Sequence, residues 1–323
     1  MATTQSVQTP TLRGTASTDR VHGRSLWQRI WRERAMYFFI VPGLLYFVVF
    51  RYLPLLGNVI AFQDYSPFLG FGGSPWVGLA NFRALFTDPD VGIALRNTLV
   101  ISFLQLVFFF PAPIILALLL NSLLHEPLKR FMQSILYLPH FISWVIIVAL
   151  WQQIFGGAGF LNQLLKNQGL EPLNIMSNPD FFKPLMVLQL MWKDTGWGTI
   201  IFLAALTKID PTLYEAAMVD GAGRWRQTLD ITLPGIRATM VTVFVLLSGY
   251  LIFAGWEQVV VMYNPSVYPT GDILETFTLR LGLNQGKYGL ATSVGLFQAA
   301  IGLGLVLLTN ALAWRFNEQG GLF

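Results

Sequence analysis

A chain of 323 residues that is 54% hydrophobic and only 12% charged carries about half the charge of an ordinary soluble domain, so it lacks the polar surface to cover itself in water. The absence of cysteine excludes disulfide scaffolds, thiolate zinc sites and thiol nucleophiles, and the three histidines, His22, His125 and His140, are too scattered for a metal cage. A net charge of +4 at a mean hydropathy of +0.55 points to membrane topology rather than nucleic acid, and the chain reads as an integral membrane protein.

Residues 1–35 are the polar exception, rich in Thr, Ser and Arg. The first eighteen have the composition of a disordered tail. Trp27, Ile30, Trp31 and Arg34 recur on one helical face, which predicts an interfacial helix over 25–34 resting on the cytoplasmic surface. The apolar stretch that follows is too long for a signal peptide.

A helix that crosses the hydrocarbon core needs roughly 20 apolar residues. Six segments meet that length: Met36–Phe62, Thr98–Leu120, Ser134–Phe155, Leu185–Leu206, Ala238–Met262 and Leu290–Trp314. None alternates with a period of two, which argues for helices over barrel strands. Pro42, Pro54, Pro111 and Pro113 fall inside spans, where neighbouring helices can satisfy the freed backbone groups, so they are read as kinks. The expectation is an all-α membrane protein with a six-helix domain over 36–315 and a short tail over 316–323.

Charge placement orients the spans. Thirteen basic residues (Arg13, Arg20, Arg24, Arg29, Arg32, Arg34, Lys129, Arg130, Lys208, Arg224, Arg226, Arg237 and Arg315) fall on one side. Six (Arg83, Arg96, Lys166, Lys183, Arg280 and Lys287) fall on the other. The positive-inside rule puts both termini in the cytoplasm. The outer loops over 63–94, 156–183 and 263–289 are long and rich in aromatics, as a docking surface would be.

The cytoplasmic segment between spans four and five, residues 207–235, carries the sharpest local pattern. Asp210 is placed to cap a helix that Pro211 begins, and Gly221 to end it in a left-handed conformation. Leu213, Ala216 and Ala217 form its apolar stripe. A second helical piece through Trp225 and Leu229 ends where Leu233-Pro234 turns the chain back to the membrane. Two capped helices between spans make a stiff protrusion, either a lever for an attached motor or an ordinary interfacial loop.

These residues resemble a known motif. Glu215-Ala216-Ala217, then Gly221 after three residues, then Ile231-Thr-Leu233-Pro234 after nine more, is similar to the EAA motif of binding-protein-dependent ABC transporter permeases. Other stretches resemble the branch that carries complex sugars and polysaccharides: Phe50-Arg-Tyr-Leu-Pro54, Ser74-Pro-Trp-Val-Gly78, Arg96-Asn-Thr98, Phe110-Pro-Ala-Pro-Ile114, Tyr137–Trp144, Trp192-Lys-Asp-Thr-Gly-Trp197, Leu203-Ala-Ala-Leu206 and Ile209-Asp-Pro211. The resemblance runs from about residue 36 to 315. It implies the type I importer permease fold, with a second homologous permease alongside. It further implies two cytoplasmic ATPase subunits that hold the ATP and Mg, and an extracytoplasmic solute-binding protein that delivers a carbohydrate, all in a bacterial cell membrane. Tyr214, Glu215, Ala216, Ala217, Asp220, Gly221, Ile231, Leu233 and Pro234 would form the coupling element that docks in a groove of the ATPase. Met218-Val219 departs mildly from the usual small or branched pair.

Ionisable residues at membrane depth cost roughly 2.5–3.5 kcal/mol each and need a reason. Lys193 and Asp194 lie well inside span four, between Trp192 and Trp197, and Trp256, Glu257 and Gln258 lie near the outer end of span five, beyond Tyr250. Aromatic faces with nearby charges and amides suit a sugar pathway, in which Lys193 would meet a uronate carboxylate. The alternative is a network that holds the bundle together, in which Lys193 and Asp194, being adjacent on a helix, each need a separate partner. Gln105, Trp144, Gln152, Gln189, Gln298 and Asn310 read as inter-helix hydrogen-bonders, and His140 as another.

No G-x-x-x-x-G-K-[ST] is present, so the chain cannot itself cradle ATP phosphates, and no catalytic constellation or cofactor motif accompanies the spans. A self-sufficient secondary transporter would show paired interrupted halves, which the sequence lacks. A permease for another class of solute is the nearest alternative.

Overall fold

The computed structural model describes residues 31, 34–253 and 255–316. Apart from positions 31, 34 and 316, the interfacial helix expected over 25–34 and the tail over 316–323 lie outside the described residues. The chain divides into two compact units, one up to Gly57 and one from Asn58 onward. The described residues are helical, and their one β feature is an isolated antiparallel bridge between Gln63 and Trp76.

The first apolar helix, α1 (Arg34–Phe62), keeps going through Pro42, then loosens into a wide π turn over Val48–Tyr52 and tightens over Leu53–Phe62. Proline cannot donate the helical hydrogen bond, and such local rewinding re-satisfies the backbone.

In the second unit a short α2 (Ala80–Thr87) leads into α3 (Pro89–Phe109), capped by Asp88, whose Oδ1 accepts from Asp90 N at 2.9 Å. Pro111 does not break the apolar run. It takes the first position of α4 (Pro111–Asn121), where a missing N–H costs nothing.

The third expected span is not one helix. Its first residues belong to α5 (Glu126–Tyr137), the chain turns over Leu138–Phe141 at Pro139, and α6 (Trp144–Phe155) starts afresh with Ser143 as its cap. The short α7 (Phe160–Asn167) follows. The long α8 (Pro179–Leu206) runs past α3, α4, α5 and α11. Gly196 lets α8 pass the break after α5, because a Cβ there would collide with the carbonyl of Leu136.

After α8 come α9 (Pro211–Val219) and α10 (Arg224–Gly235), then α11 (Arg237–Tyr250), bent 61° from α10. Span five breaks again before α12 (Trp256–Met262), which starts from Gly255 at φ +68°. Next are α13 (Leu274–Leu279) and the closing α14 (Tyr288–Phe316).

Among the described residues four helical stretches are long and apolar enough to span a membrane, or five if the bent α10–α11 pair counts as one. The expected six is not reached by this measure. The shortfall falls on α8, which has 28 residues but carries Lys193, Asp194 and Thr195 at its middle. Of these Lys193 is buried, and Asp194 and Thr195 are half-buried.

Three buried clusters fill the second unit. One joins Ile101, Val148, Phe182, Met186 and Val259; a second joins Leu85, Ala94, Leu274, Phe277 and Val294; the third joins Ala117, Phe202, Leu206 and Ile236 where α10 meets the bundle. Between helices in lipid there is little hydrophobic driving force, so close packing and inter-helix hydrogen bonds must hold such a bundle.

Candidate functional site

The elbow between α8 and α11 is built from local signals. Asp210 Oδ1 accepts from Thr212 N at 2.9 Å and starts α9 at Pro211. These hydrogen bonds, the backbone one first, hold the Asp210 carboxyl below its ordinary value. At the other end Gly221 adopts φ +73°, Ala222 N donates to Ala217 O at 2.8 Å and Gly221 N to Met218 O at 3.1 Å. This pair of bonds is a Schellman cap, which needs a residue that tolerates the left-handed region.

The two elbow helices are clipped together. Thr232 Oγ1 donates to Gln227 O at 3.2 Å, which leaves the Tyr214 hydroxyl as donor in its 3.0 Å link to Thr232 Oγ1. Gln227 Nε2 donates to Ala222 O at 2.8 Å. Ile231 and Leu233 are half-buried, and Pro234 is exposed. Leu233 packs with Ile209 and Met240 against the third cluster, so the elbow is rooted in the membrane bundle.

The expected apolar stripe of α9 is not buried. Leu213, Glu215, Ala216 and Asp220 are exposed and Ala217 half-buried, while Val219 is 89% and Trp225 79% exposed. A helix capped at both ends, clipped to its neighbour and topped by uncovered apolar side chains is a preformed surface rather than a loose linker.

At membrane depth the structure sorts the remaining sequence-selected residues. Lys193 is 8% exposed, and its ammonium donates to His140 O at 2.6 Å, Ile142 O at 2.8 Å and Pro139 O at 3.5 Å. The Pro139 carbonyl also accepts from Ile142 N at 3.1 Å, and the lysine supplies a donor to the His140 and Ile142 carbonyls left at the break between α5 and α6. Lys193 also lies 5.6 Å from the centre of the Trp144 ring. Asp194 Oδ1 meets His140 Nδ1 at 2.8 Å, and the imidazole stacks on Trp197 with ring centres 4.4 Å apart. Asp194, His140 and Trp197 thus form one partly open cluster, with Phe141 edge-on to Trp197. Trp192, five residues before Trp197, leaves the helix on a different side.

Gln258 is fully buried. Its Nε2 donates to Gln189 Oε1 at 2.8 Å and to Met186 O at 3.1 Å, linking α12 to α8. Tyr250, Trp256 and Glu257 are exposed and make no hydrogen bond or ion pair among the described residues. His140 supplies the partner that ties Asp194 into this cluster. In the sequence it stood alone, its only visible signal the preceding Pro139.

A further network was not singled out from the sequence. Buried Asp272, in the loop before α13, accepts from Tyr263 OH and Thr276 Oγ1 at 2.8 Å each and pairs with Arg280 at 2.7 Å. Tyr263 stacks on Tyr268 at 4.3 Å, and Arg280 lies over the Tyr268 ring. Burial first, then the bond to Asp272, push the Tyr263 hydroxyl well above the usual tyrosine range. Asn97 and Thr98 of α3 hold the same loop, Asn97 Nδ2 donating to Pro269 O and Asp272 O at 3.1 Å each and Thr98 Oγ1 accepting from Leu274 N at 3.0 Å. The outer loop is therefore a fixed platform. Among the described residues no group of side chains could hold a metal ion.

Residues 109–317 match the family described as binding-protein-dependent transport system inner membrane component. The chain is 46% identical over 290 residues to the polygalacturonan/rhamnogalacturonan transport system permease protein YteP of Bacillus subtilis (strain 168), covering 90% of each chain. It superposes with a TM-score of 0.84 on a chain in the crystal structure of a bacterial ABC transporter involved in the import of the acidic polysaccharide alginate, at 35% identity over 91% of this chain and 100% of that one. A second structure, the bacterial alginate transporter in complex with alginate pentasaccharide-bound periplasmic protein, matches with a TM-score of 0.83 at 35% identity over 92% and 100%.

Proposed function

Because the chain belongs to the family of binding-protein-dependent transport system inner membrane components, we propose that it is the permease subunit through which an ATP-driven importer passes a carbohydrate. The chain is an inner-membrane component with an ABC importer permease fold. The carbohydrate assignment is supported by the names of its relatives, polygalacturonan/rhamnogalacturonan in one case and alginate in another. It shares the pathway with a second, homologous permease and receives its solute from an extracytoplasmic binding protein, a reading supported by the alginate transporter's complex with a pentasaccharide-bound periplasmic protein.

The observation that carries the coupling role is the α9–α10 elbow: Glu215, Ala216 and Val219 uncovered on a helix held at both ends and rooted through Leu233 in the bundle. An ATPase seated there moves α11 directly, since a stiff element transmits displacement. Tyr214, Ala217, Asp220, Gly221, Ile231 and Pro234 shape the elbow. ATP and Mg belong to that partner. On the membrane path, Asp194 and Trp197 offer a carboxylate beside an aromatic face, the pairing that recognises sugar hydroxyls and ring faces. Trp192, Tyr250, Trp256 and Glu257 present further open surface, whereas Lys193 and Gln258 support the path from behind.

The test is reconstitution into liposomes with the partner permease, the ATPase pair and the binding protein, using an oligogalacturonate trimer and a neutral oligosaccharide as probes. ATP hydrolysis and uptake that rise with either sugar support the assignment. A complex that hydrolyses ATP but responds to no saccharide overturns the substrate class. Failure of the ATPase to bind a Glu215→Lys permease, with wild type binding, supports the docking assignment, and normal binding overturns it.

A further inference from the structure

A half-buried lysine without a counter-charge is costly unless something outside the chain supplies one. Lys183 is such a residue. It lies near the start of α8, two residues before the apolar stretch that begins at Leu185. Arg96 lies two residues before the apolar stretch that begins at Thr98 on α3, which packs alongside α8. Both helices are pinned to the same short segment, α3 two turns in from its start and α8 at its first residue: Asn97 Nδ2 donates to Pro269 O at 3.1 Å, and Thr270 Oγ1 donates to Pro179 O at 2.9 Å. Burial first, then the neighbouring Arg96, hold the Lys183 ammonium below the usual lysine range. Among the described residues neither cation has an ion-pair or hydrogen-bond partner. Asp180 lies on the same helix without pairing to Lys183, and the Asp90 carboxylate is turned to Arg280 at 3.8 Å.

Farther along the same two helices lies an apolar groove of about 310 Å³, lined by Leu104, Phe108, Pro184, Val187, Leu188 and Met191. Pro184 follows Lys183 in the chain, and Val187 stands one turn beyond it. From Pro184 to Met191 the helix advances about 10 Å, a depth that reaches well into one leaflet.

We infer that Arg96, Lys183 and this groove form a site for one anionic phospholipid, its phosphate between the two cations and an acyl chain along the groove. A sugar carboxylate would suit the cations but gains nothing from six apolar side chains, whereas a lipid uses both halves at the depth where each belongs. The inference rests on the chain being a membrane component and is independent of the solute it carries.

The full-length protein is placed in nanodiscs of phosphatidylcholine with phosphatidylglycerol as a minor component, and the lipids it retains on release into mild detergent are counted by native mass spectrometry. Wild type should enrich phosphatidylglycerol about tenfold over its share of the bilayer. The double variant Arg96→Gln/Lys183→Gln should lose that enrichment, and Lys183→Arg should keep it. Val187→Trp, which fills the groove and leaves both charges, should also lose it. Enrichment untouched by the charge pair overturns the site. Enrichment that survives Val187→Trp but is displaced by inorganic phosphate or a galacturonate trimer overturns the lipid and assigns the cations to a soluble anion. A groove covered by a second permease, seen as wild-type complex retaining no more phosphatidylglycerol than the double variant, overturns it too.

Discussion

The ammonium of Lys193 donates to the carbonyl oxygen of His140 at 2.6 Å. The adjacent Asp194 takes the imidazole of the same residue at 2.8 Å. Two neighbours on α8 therefore grip one residue through its backbone and its side chain, across the break that separates α5 from α6. The expectation of separate partners is met at the level of atoms, yet both partners belong to one loop.

Replacing Lys193 by Met keeps the volume and strands the carbonyls of His140 and Ile142. Hydrogen bonds to a charged donor contribute about 1.5–3 kcal/mol, so the variant should lose stability of that order. The check is thermal unfolding in detergent. Lys193→Arg should recover part of the loss, because a guanidinium can still reach more than one carbonyl. An unchanged midpoint in Lys193→Met would show that the carbonyls find water instead.

Gly221→Val should cost more than Gly221→Ala, and both should act on the elbow alone. At φ +73° a side chain is strained by about 1 kcal/mol or more, and a β-branched one by more. The protein should insert and purify normally while uptake per ATP hydrolysed falls. Loss of α9 amide protection with the membrane helices unchanged, read by hydrogen exchange, is the confirming signature.

Asp210 gives a pH dependence whose sign is determined by its hydrogen bonds. Its carboxyl is held below the ordinary 3.8, so the cap's contribution is complete above that value and fades as pH falls through the depressed folded value. Protection factors of the first α9 amides, corrected for intrinsic exchange, should fall on acidification below about pH 4 in wild type. In Asp210→Ala the same amides should be less protected than in wild type above that pH and show no such pH dependence.

Asp272→Asn removes the charge that Arg280 pairs with and weakens the acceptor for Tyr263 and Thr276. Breaking a buried pair from one side costs about 3–5 kcal/mol, reduced here because Arg280 keeps some solvent and its weaker contact with Asp90. The loop before α13 should become protease-sensitive, while the α9–α10 elbow, at the far end of the span, should keep its exchange protection.

The two caps of α9 could be read in advance because they are local, whereas the Tyr214–Thr232 clip and the exposure of Leu213 and Ala216 could not. Asp210 bonds two residues ahead, Gly221 turns at its own φ, and the spacing to Ile231 and Leu233 is carried by the chain itself. The third span was misjudged as one helix because hydropathy does not register where Pro139 diverts the chain and Ser143 restarts it. In the fourth, Lys193 and Asp194 stood out in the sequence, but their partners at Pro139–Ile142 lie over 50 residues away and could not be read from it.

Composition, charge placement and local caps by themselves determined the class, the membrane setting and the capped α9 helix, since burial propensity, helix caps and residue spacing act over a few residues and need no tertiary partner. Only the folded chain decided which polar groups are engaged: Lys193 by the carbonyls of a broken helix, Gln258 by Gln189, Asp272 by Tyr263 and Arg280, and Lys183 by none among the described residues. A polar side chain in an apolar bundle takes its role from the atoms within about 3 Å of it. Those atoms come from distant parts of the sequence and meet only when the helices pack.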